Sequence, residues 1–248
     1  MLKKLLHKNI IDGKKTLALL IDPDKHTEES LVKLLSLVEN KELPDIILIG
    51  GSIVFNGIDK TVEIVKKHTS KPVYLFPGSV LQVSDNADGI LLLSLISGRN
   101  PEFLIGNHVL AAPKLKKSGI DIFPVGYMLI NSGIDTSVSY MSNTTPIPYG
   151  KNDIAVATAV AGEMLGLQAI YLEAGSGAKM PVSTEMIVAV KTNINIPLIV
   201  GGGIKNKQQL SDALNAGADM IVIGNAVETN PKLLDAFINI IKKYNVKF

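Results

Sequence analysis

A glutamate inside an otherwise apolar segment is the residue of this sequence that points most directly to chemistry. Glu173 stands in the run Tyr171–Ala178 (YLEAGSGA), which is typical of a buried strand followed by a glycine-rich turn. Burying a carboxylate without a partner is costly, so such a glutamate is either ion-paired or kept for proton transfer. The turn that follows, with Gly175 and Gly177, exposes successive backbone N–H groups that can hold an anion. We therefore expect a general base beside an anion-binding turn, with a structural ion pair as the alternative.

Two later apolar segments also end in glycine. They are Val200–Ile204 (VGGGI) and Ile223–Ala226 (IGNA). The last two strands of α/β barrels commonly end in such turns, which bind phosphate with the help of a helix N-terminus. Glycine that only eases a tight turn is the alternative. We therefore expect a phosphate cradle at the ends of these two segments.

Oxygen ligands follow the first two apolar segments. The first ends in LIDPDK, which places Asp22 and Asp24 directly after it, and the second ends in Gly50–Ser52. Carboxylate and hydroxyl oxygens suit Mg²⁺, especially when a substrate phosphate supplies the remaining ligands. In the alternative interpretation, the aspartates only form an Asx turn with the loop backbone.

Eight apolar segments of strand length must position these residues, and each is followed by a helical pattern. This alternation predicts a closed (β/α)8 TIM barrel, one domain spanning residues 1–248, in which strand ends meet at one mouth. An open doubly wound sheet is the structural alternative. The segments are Thr16–Asp22, Asp45–Ser52, Pro72–Ser79, Gly89–Ser97, Asp121–Ile130, Ala169–Ser176, Pro197–Gly203 and Met220–Asn225.

One long irregular stretch, Asn131–Asn152, follows the fifth segment. Pro146 and Pro148 forbid a continuous helix there. A loop of this length on the mouth of a barrel is either a functional lid or a passive surface loop.

Composition excludes several classes of function. The chain has no cysteine, so zinc-thiolate sites and thiol nucleophiles are excluded. The net charge is only +2, tryptophan is absent and lysines are scattered, which argues against nucleic-acid binding. No apolar run approaches the roughly 18 residues of a membrane span. We expect a cytoplasmic enzyme without stable membrane insertion.

Taken together and in order, these motifs resemble the geranylgeranylglyceryl phosphate synthase family, in its archaeal and Bacteroidetes-type branch. The resemblance covers nearly the whole chain, and YLEAGSGA with VGGGI is its most specific part. The motifs are Leu20–Lys25 (LIDPDK), Gly50–Ser52 (GGS), Phe76–Ser79 (FPGS), Ser142–Pro148 (SNTTPIP), Tyr171–Ala178, Val200–Ile204 and Ile223–Ala226.

The resemblance implies a prenyltransferase of lipid biosynthesis. Such an enzyme joins the C3 hydroxyl of sn-glycerol 1-phosphate to an allylic prenyl diphosphate, geranylgeranyl diphosphate in the type case, and releases diphosphate. It further implies Mg²⁺ as cofactor, with Asp22 and Ser52 at the metal, Glu173 and Tyr171 in catalysis, and a homo-oligomer, either a dimer or a hexamer. The substrate contacts carried over by motif are Tyr171, Leu172, Glu173, Ala174, Gly175, Ser176, Gly177, Gly202, Gly203, Gly224 and Asn225.

A prenyl donor also requires an apolar trough. The lining that we expect from the sequence is Val54, Phe55, Phe76, Tyr127, Leu129 and Ile130. Two other classes of function remain open at this point. One is another phosphate-binding barrel enzyme, of the kind that makes thiamine phosphate, and the other is a non-catalytic barrel that binds a phosphorylated metabolite.

Overall fold

The computed structural model describes residues 1–38, 44–55 and 57–246, and its strands form a closed parallel barrel. Each strand pairs with the next along the chain, and the last pairs with the first. This confirms the predicted closed (β/α)8 architecture and excludes the open sheet. The strands are β1 (Thr16–Ile21), β2 (Ile46–Ile49), β3 (Val73–Leu75), β4 (Gly89–Leu95), β5 (Asp121–Leu129), β6 (Ala169–Glu173), β7 (Leu198–Gly201) and β8 (Met220–Ile223).

The helices lie outside the barrel or close its two ends. In the described residues they are α1 (Leu2–Ile11), α2 (Glu28–Ser36), α3 (Ile58–His68), α4 (Asn107–Ser118), α5 (Ser137–Ser142), α6 (Asn152–Met164), α7 (Thr184–Lys191), α8 (Lys207–Asn215), α9 (Asn225–Thr229) and α10 (Lys232–Asn245).

The strands are apolar on both faces because the barrel has two cores. Successive strand residues point to opposite faces, so Leu48 and Tyr171 fill the interior while Ile47 and Leu172 pack under the outer helices. At the N-terminal end of the strands, α1 closes the interior with Leu2. This pattern leaves the opposite, C-terminal end of the barrel as the open mouth.

The third crossover departs from the sequence prediction. The segment 76–88, between β3 and β4, contains turns and no helix, although a helical pattern was expected there. Its residue Gln82 is buried and bonds the neighbouring loop, donating from Nε2 to the carbonyl oxygen of Gly51 at 2.8 Å. The Lys114 Nζ of α4 donates to the Val83 carbonyl oxygen at 3.2 Å. The missing helix leaves a cleft between this segment and α4.

The stretch Asn131–Asn152 is more ordered than a simple loop. It contains α5, begun by a capping box at Thr136, and an isolated parallel bridge between Ile130 and Ile147. As expected from Pro146 and Pro148, no helix continues through that part. The stretch therefore forms one wall of the mouth, because Val138 and Met141 of α5 line its cavity.

No helix in the described part of the chain is both long enough and apolar enough to span a bilayer.

A buried ion pair between α7 and the start of β8 should stabilise the fold. Asp219 is 6% exposed and accepts from Lys191 Nζ at 2.6 Å and from the Leu198 backbone N–H at 2.8 Å. Asp219→Ala leaves both donors without that partner and should lower the free energy of unfolding by about 3 kcal/mol. Urea denaturation measures this.

The control for this prediction is Lys60→Ala, which removes an exposed ion pair with Glu28. It should change the free energy of unfolding by less than about 1 kcal/mol. Equal losses in the two variants would contradict the assigned role of Asp219.

Candidate active site

One large cavity opens at the C-terminal ends of the strands, with a volume of about 790 Å³. Its polar half is lined from the ends of β1, β2, β6, β7 and β8, and its apolar half from the ends of β3 and β4 and from α4. Pockets of this size and mixed lining suit a ligand with one polar and one apolar end.

Glu173, the last residue of β6, points into the polar half and is 6% exposed. Its Oε1 accepts a hydrogen bond from the Gly175 backbone N–H at 2.6 Å. Burial raises the pKa of the carboxyl group above its ordinary value, although this hydrogen bond acts in the opposite direction. Within the described residues no ion pair neutralises it, so the structural ion pair considered from the sequence does not form.

Three aromatic rings pack against one another at the mouth of the barrel, and two of them, Tyr127 and Tyr171, lie near Glu173. The ring centroid of Tyr171 lies 5.6 Å from that of Phe76 and 5.3 Å from that of Tyr127. The Tyr171 hydroxyl is buried and, in the described residues, lacks a hydrogen bond of normal geometry. Burial, and secondarily the nearby Glu173, raises the pKa of Tyr171 well above its ordinary value. The phenol therefore stays neutral.

The turns after β6, β7 and β8, where the sequence predicts an anion cradle, lie close together. A Cβ on Gly202, whose φ is +77°, would lie 2.2 Å from Glu173 Oε1 and 2.7 Å from the Gly175 nitrogen. Asn225 joins the turn after β8 to the turn after β6, because its Nδ2 donates to Ser176 Oγ at 2.8 Å. The three turns thus converge on one point.

Several main-chain donors in this cradle have no acceptor among the described residues. They include the N–H groups of Ser176, Gly177, Gly203 and Asn225, the last at the start of α9. The Gly175 N–H, by contrast, is already bonded to Glu173. Unpaired amides grouped in this way are suited to bind the oxygens of a phosphate.

Asp22 and Ser52 line the same cavity at the ends of the neighbouring strands β1 and β2, beside this cradle. The Asp22 carboxyl carbon is 3.2 Å from the place that a Cβ on Gly51 would occupy. Mg²⁺ is commonly held by one or two carboxylates together with substrate phosphates. The described residues offer no cluster of three or more acidic, histidine or cysteine ligands. This donor set fits a magnesium ion that takes most of its ligands from a substrate.

Asp24 does not line the cavity. Its backbone N–H donates to Asp22 Oδ1 at 3.2 Å, and its Oδ2 accepts from the Phe55 N–H at 2.8 Å. The Asx turn that we weighed from the sequence therefore occurs at Asp22. It leaves the Asp22 Oδ2 atom facing the cavity, next to Lys25.

Strand alternation separates the substrate contacts predicted along β6. Tyr171 and Glu173 line the cavity, as do Gly175, Ser176 and Gly177, whereas Leu172 and Ala174 pack in the outer core. The Ala174 N–H also donates to the Gly201 carbonyl oxygen at 3.0 Å. The side chains of these last two residues therefore face away from any ligand in the cavity.

The apolar trough lies elsewhere than the sequence predicted. Phe76 and Tyr127 line the cavity, but Leu129 and Ile130 are core residues, Phe55 is 88% exposed, and Val54 does not reach the cavity. The trough instead occupies the cleft left by the missing third helix. It is lined by Val80, Val83, Leu92, Phe103, Ala111 and Leu115.

Sequence reasoning missed Lys25, which lies between Asp22 and the turn after β8 that contains Asn225. Its Nζ is 3.5 Å from Asp22 Oδ2 and 3.1 Å from Glu228 Oε2, and it donates to Asn225 Oδ1. Its position within the LIDPDK motif could have marked Lys25 as a site residue. Its contact with Asn225, 200 residues away in sequence, could not be predicted from spacing.

Fold and site together define a class of protein: an α/β barrel whose mouth joins a group of unpaired backbone amides to an apolar trough. Within that class, this chain belongs to the PcrB family, whose sequence profile matches residues 9–244.

Named relatives cover nearly the whole chain. The geranylgeranylglyceryl phosphate synthase of Spirosoma linguale is 51% identical over 236 residues, which is 95% of this chain and 94% of that protein. The wild-type enzyme of Thermoplasma volcanium is 33% identical, with a TM-score of 0.88 and coverage of 98% of this chain and 97% of that one. The Thermoplasma acidophilum enzyme, solved with its substrate sn-glycerol-1-phosphate, is 28% identical, with a TM-score of 0.89 and 98% of both chains covered.

A side chain at position 202 should damage the cradle. Gly202→Ala places a methyl group against Glu173 and the Gly175 nitrogen, at a φ that only glycine adopts easily. We expect at least about ten-fold weaker binding of inorganic phosphate by calorimetry, with about 1–3 kcal/mol lost from the free energy of unfolding.

Gly150→Ala is the matched control, since nothing lies within 4 Å of the Cβ that it adds. It should bind the ligand as the unmodified protein does. Unchanged binding in Gly202→Ala would mean that the phosphate is held elsewhere.

Proposed function

We propose that this protein is a prenyltransferase that joins the C3 hydroxyl of sn-glycerol 1-phosphate to an allylic prenyl diphosphate and releases diphosphate. The observation that carries the proposal is the buried carboxylate of Glu173 beside four unpaired backbone amides, at the junction with an apolar trough. Geranylgeranyl diphosphate is the proposed donor, and family membership supports both substrates.

The phosphate of sn-glycerol 1-phosphate would accept hydrogen bonds from the amides of Ser176, Gly177, Gly203 and Asn225. Holding the phosphate in this way directs the free hydroxyl end of the glycerol toward Glu173. The attacking hydroxyl is then already positioned and need not find the right orientation by chance. Glu173 would accept the proton of the attacking hydroxyl. Its burial favours this role, because a carboxylate with a raised pKa is a stronger base.

The allylic diphosphate would lie with its charged head near Asp22 and Ser52. Mg²⁺ held there would neutralise the charge that develops on the leaving diphosphate. The rings of Tyr171, Phe76 and Tyr127 line the same cavity, and aromatic rings can stabilise positive charge on the allylic carbons.

The prenyl tail would occupy the trough between segment 76–88 and α4. Its lining side chains are aliphatic or aromatic, so transfer of the tail from water is favourable at roughly 25 cal/mol per Å² of apolar surface. Assembly into a dimer or a hexamer remains a prediction from the family resemblance.

The direct test is incubation of the protein with Mg²⁺, labelled geranylgeranyl diphosphate and either enantiomer of glycerol phosphate. We expect an ether product and released diphosphate with sn-glycerol 1-phosphate, and little product with sn-glycerol 3-phosphate. The reason is that the cradle fixes the phosphate, so that only one enantiomer places its free hydroxyl group within reach of Glu173. Binding without ether formation would favour a non-catalytic binding barrel. Turnover of a different phosphate ester alone would favour another barrel enzyme.

Removing the base should separate chemistry from binding. Glu173→Gln keeps the shape and the hydrogen bond from Gly175 but cannot take a proton, so kcat should fall by about 10²–10⁴-fold. The dissociation constant of sn-glycerol 1-phosphate, measured by calorimetry, should change by less than about three-fold because its phosphate is bound by backbone amides.

The pH profile provides a second readout of the same group. A base must be ionised to act, and the pKa of Glu173 is raised by burial. Activity should therefore fall as the pH drops through that raised value, and the acid limb of kcat/KM should lie above the ordinary range of glutamate. Full turnover in Glu173→Gln, or an acid limb at the ordinary value, would remove Glu173 from this role.

A further inference from the structure

Lys25 occupies the boundary between the metal side and the phosphate side of the cavity. It ends a 3-10 turn, Pro23–Lys25, that follows β1, and β1 pairs with β8, which ends next to Asn225. Its ammonium group contacts Asp22 on one side, and Asn225 and Glu228 of α9 on the other. The ammonium group of Lys25 is thus held from both sides, at the place where β8 pairs with β1.

The contacts of Lys25 also determine the orientation of the Asn225 side chain. A lysine ammonium is only a donor, so Asn225 must present its Oδ1 to Lys25 and its Nδ2 to Ser176 Oγ. The side chains of Lys25, Asn225 and Ser176 therefore form a chain that runs from the metal side into the turn after β6. Removal of the ammonium would release the amide group from this orientation.

The charges around the cavity explain why the position of Lys25 matters. In the described lining of the cavity, the lysines are Lys25 and Lys205, whereas Asp22, Glu173 and Glu228 are acidic. Two anionic substrates bound side by side repel each other, and nearby carboxylates increase that repulsion. A cation placed between the two anions reduces it.

We propose that Lys25 couples the two substrate sites: its ammonium lies between the phosphate of the acceptor and the diphosphate of the donor, and lets both bind at once. The inference rests on the proposed function, because it assumes that both anions enter this cavity. In this role, Lys25 affects the binding of the two substrates together and not the binding of either substrate alone.

A purely structural role explains the arrangement less well. The Lys25 side chain is 39% exposed, and ion pairs of exposed side chains contribute little to stability. If stability were its function, Glu228→Gln, which breaks the pair at 3.1 Å and a 3.8 Å contact between Glu228 and His26, would also impair the site although the ammonium remains. If coupling is its function, only the loss of the ammonium matters.

The test measures binding of sn-glycerol 1-phosphate by calorimetry, with Mg²⁺ present, before and after saturation with geranyl S-thiolodiphosphate. This donor analogue reacts too slowly to interfere. In the unmodified protein the analogue should change the dissociation constant by less than about three-fold, and in Lys25→Met it should weaken binding by about ten-fold or more. Lys25→Arg should restore the coupling, and Glu228→Gln should keep it.

Lys179→Met is the matched control, because it removes the same charge from the same face of the barrel outside the cavity lining. It should behave like the unmodified protein. Equal dissociation constants with and without the analogue in Lys25→Met would overturn the inference, as would equal effects of Lys25→Met and Glu228→Gln.

Folding of each variant is checked by thermal melting. If Lys25→Met does not melt cooperatively, Lys25→Gln takes its place, and loss of the fold in both would overturn the inference by making Lys25 structural. If the unmodified protein binds neither ligand, the proposed function fails and the inference fails with it. If it binds both and only the coupling is unaffected by Lys25→Met, the inference alone fails.

Discussion

The buried carboxylate of Glu173 is the constraint on which the rest of the polar site depends. A carboxylate this deep requires compensation, and the Gly175 N–H at 2.6 Å provides a hydrogen bond to one of its oxygens. That bond needs the chain to turn back at Gly175, and it leaves no space for a side chain at Gly202. The same geometry that holds the carboxylate therefore also aligns the amides of the following turns.

Closure of the barrel converts this local arrangement into a two-sided site. Because β8 pairs with β1, the cradle after β8 lies beside the LIDPDK turn, and a lysine can contact both. An open sheet would separate these strand ends. The missing helix after β3 has the complementary effect, since the outer face of the barrel that it would cover becomes the trough.

The sequence was informative where chemistry depends on local pattern and less so where it depends on packing. The turn glycines and Glu173 are predicted by their place at the ends of apolar segments, which the closed barrel brings together. The trough lining was mostly wrong: Leu129 and Ile130 are core residues, because alternation along β5 directs one into the barrel interior and the other under the outer helices. The link from Lys25 to Asn225 spans 200 residues and cannot be read from spacing.

The aromatic rings show how the two halves of the cavity can cooperate. Burial raises the pKa of both Tyr127 and Tyr171 well above the ordinary value, so neither phenol exchanges its proton near neutral pH. In the proposed reaction, proton transfer would therefore fall to Glu173, and the tyrosines would contribute through their rings. Those rings line the same cavity as the trough, so in the proposed reaction they would shield an allylic cation from water while its tail stays in the apolar half. Such a site would favour attack by the hydroxyl that Glu173 deprotonates over attack by solvent.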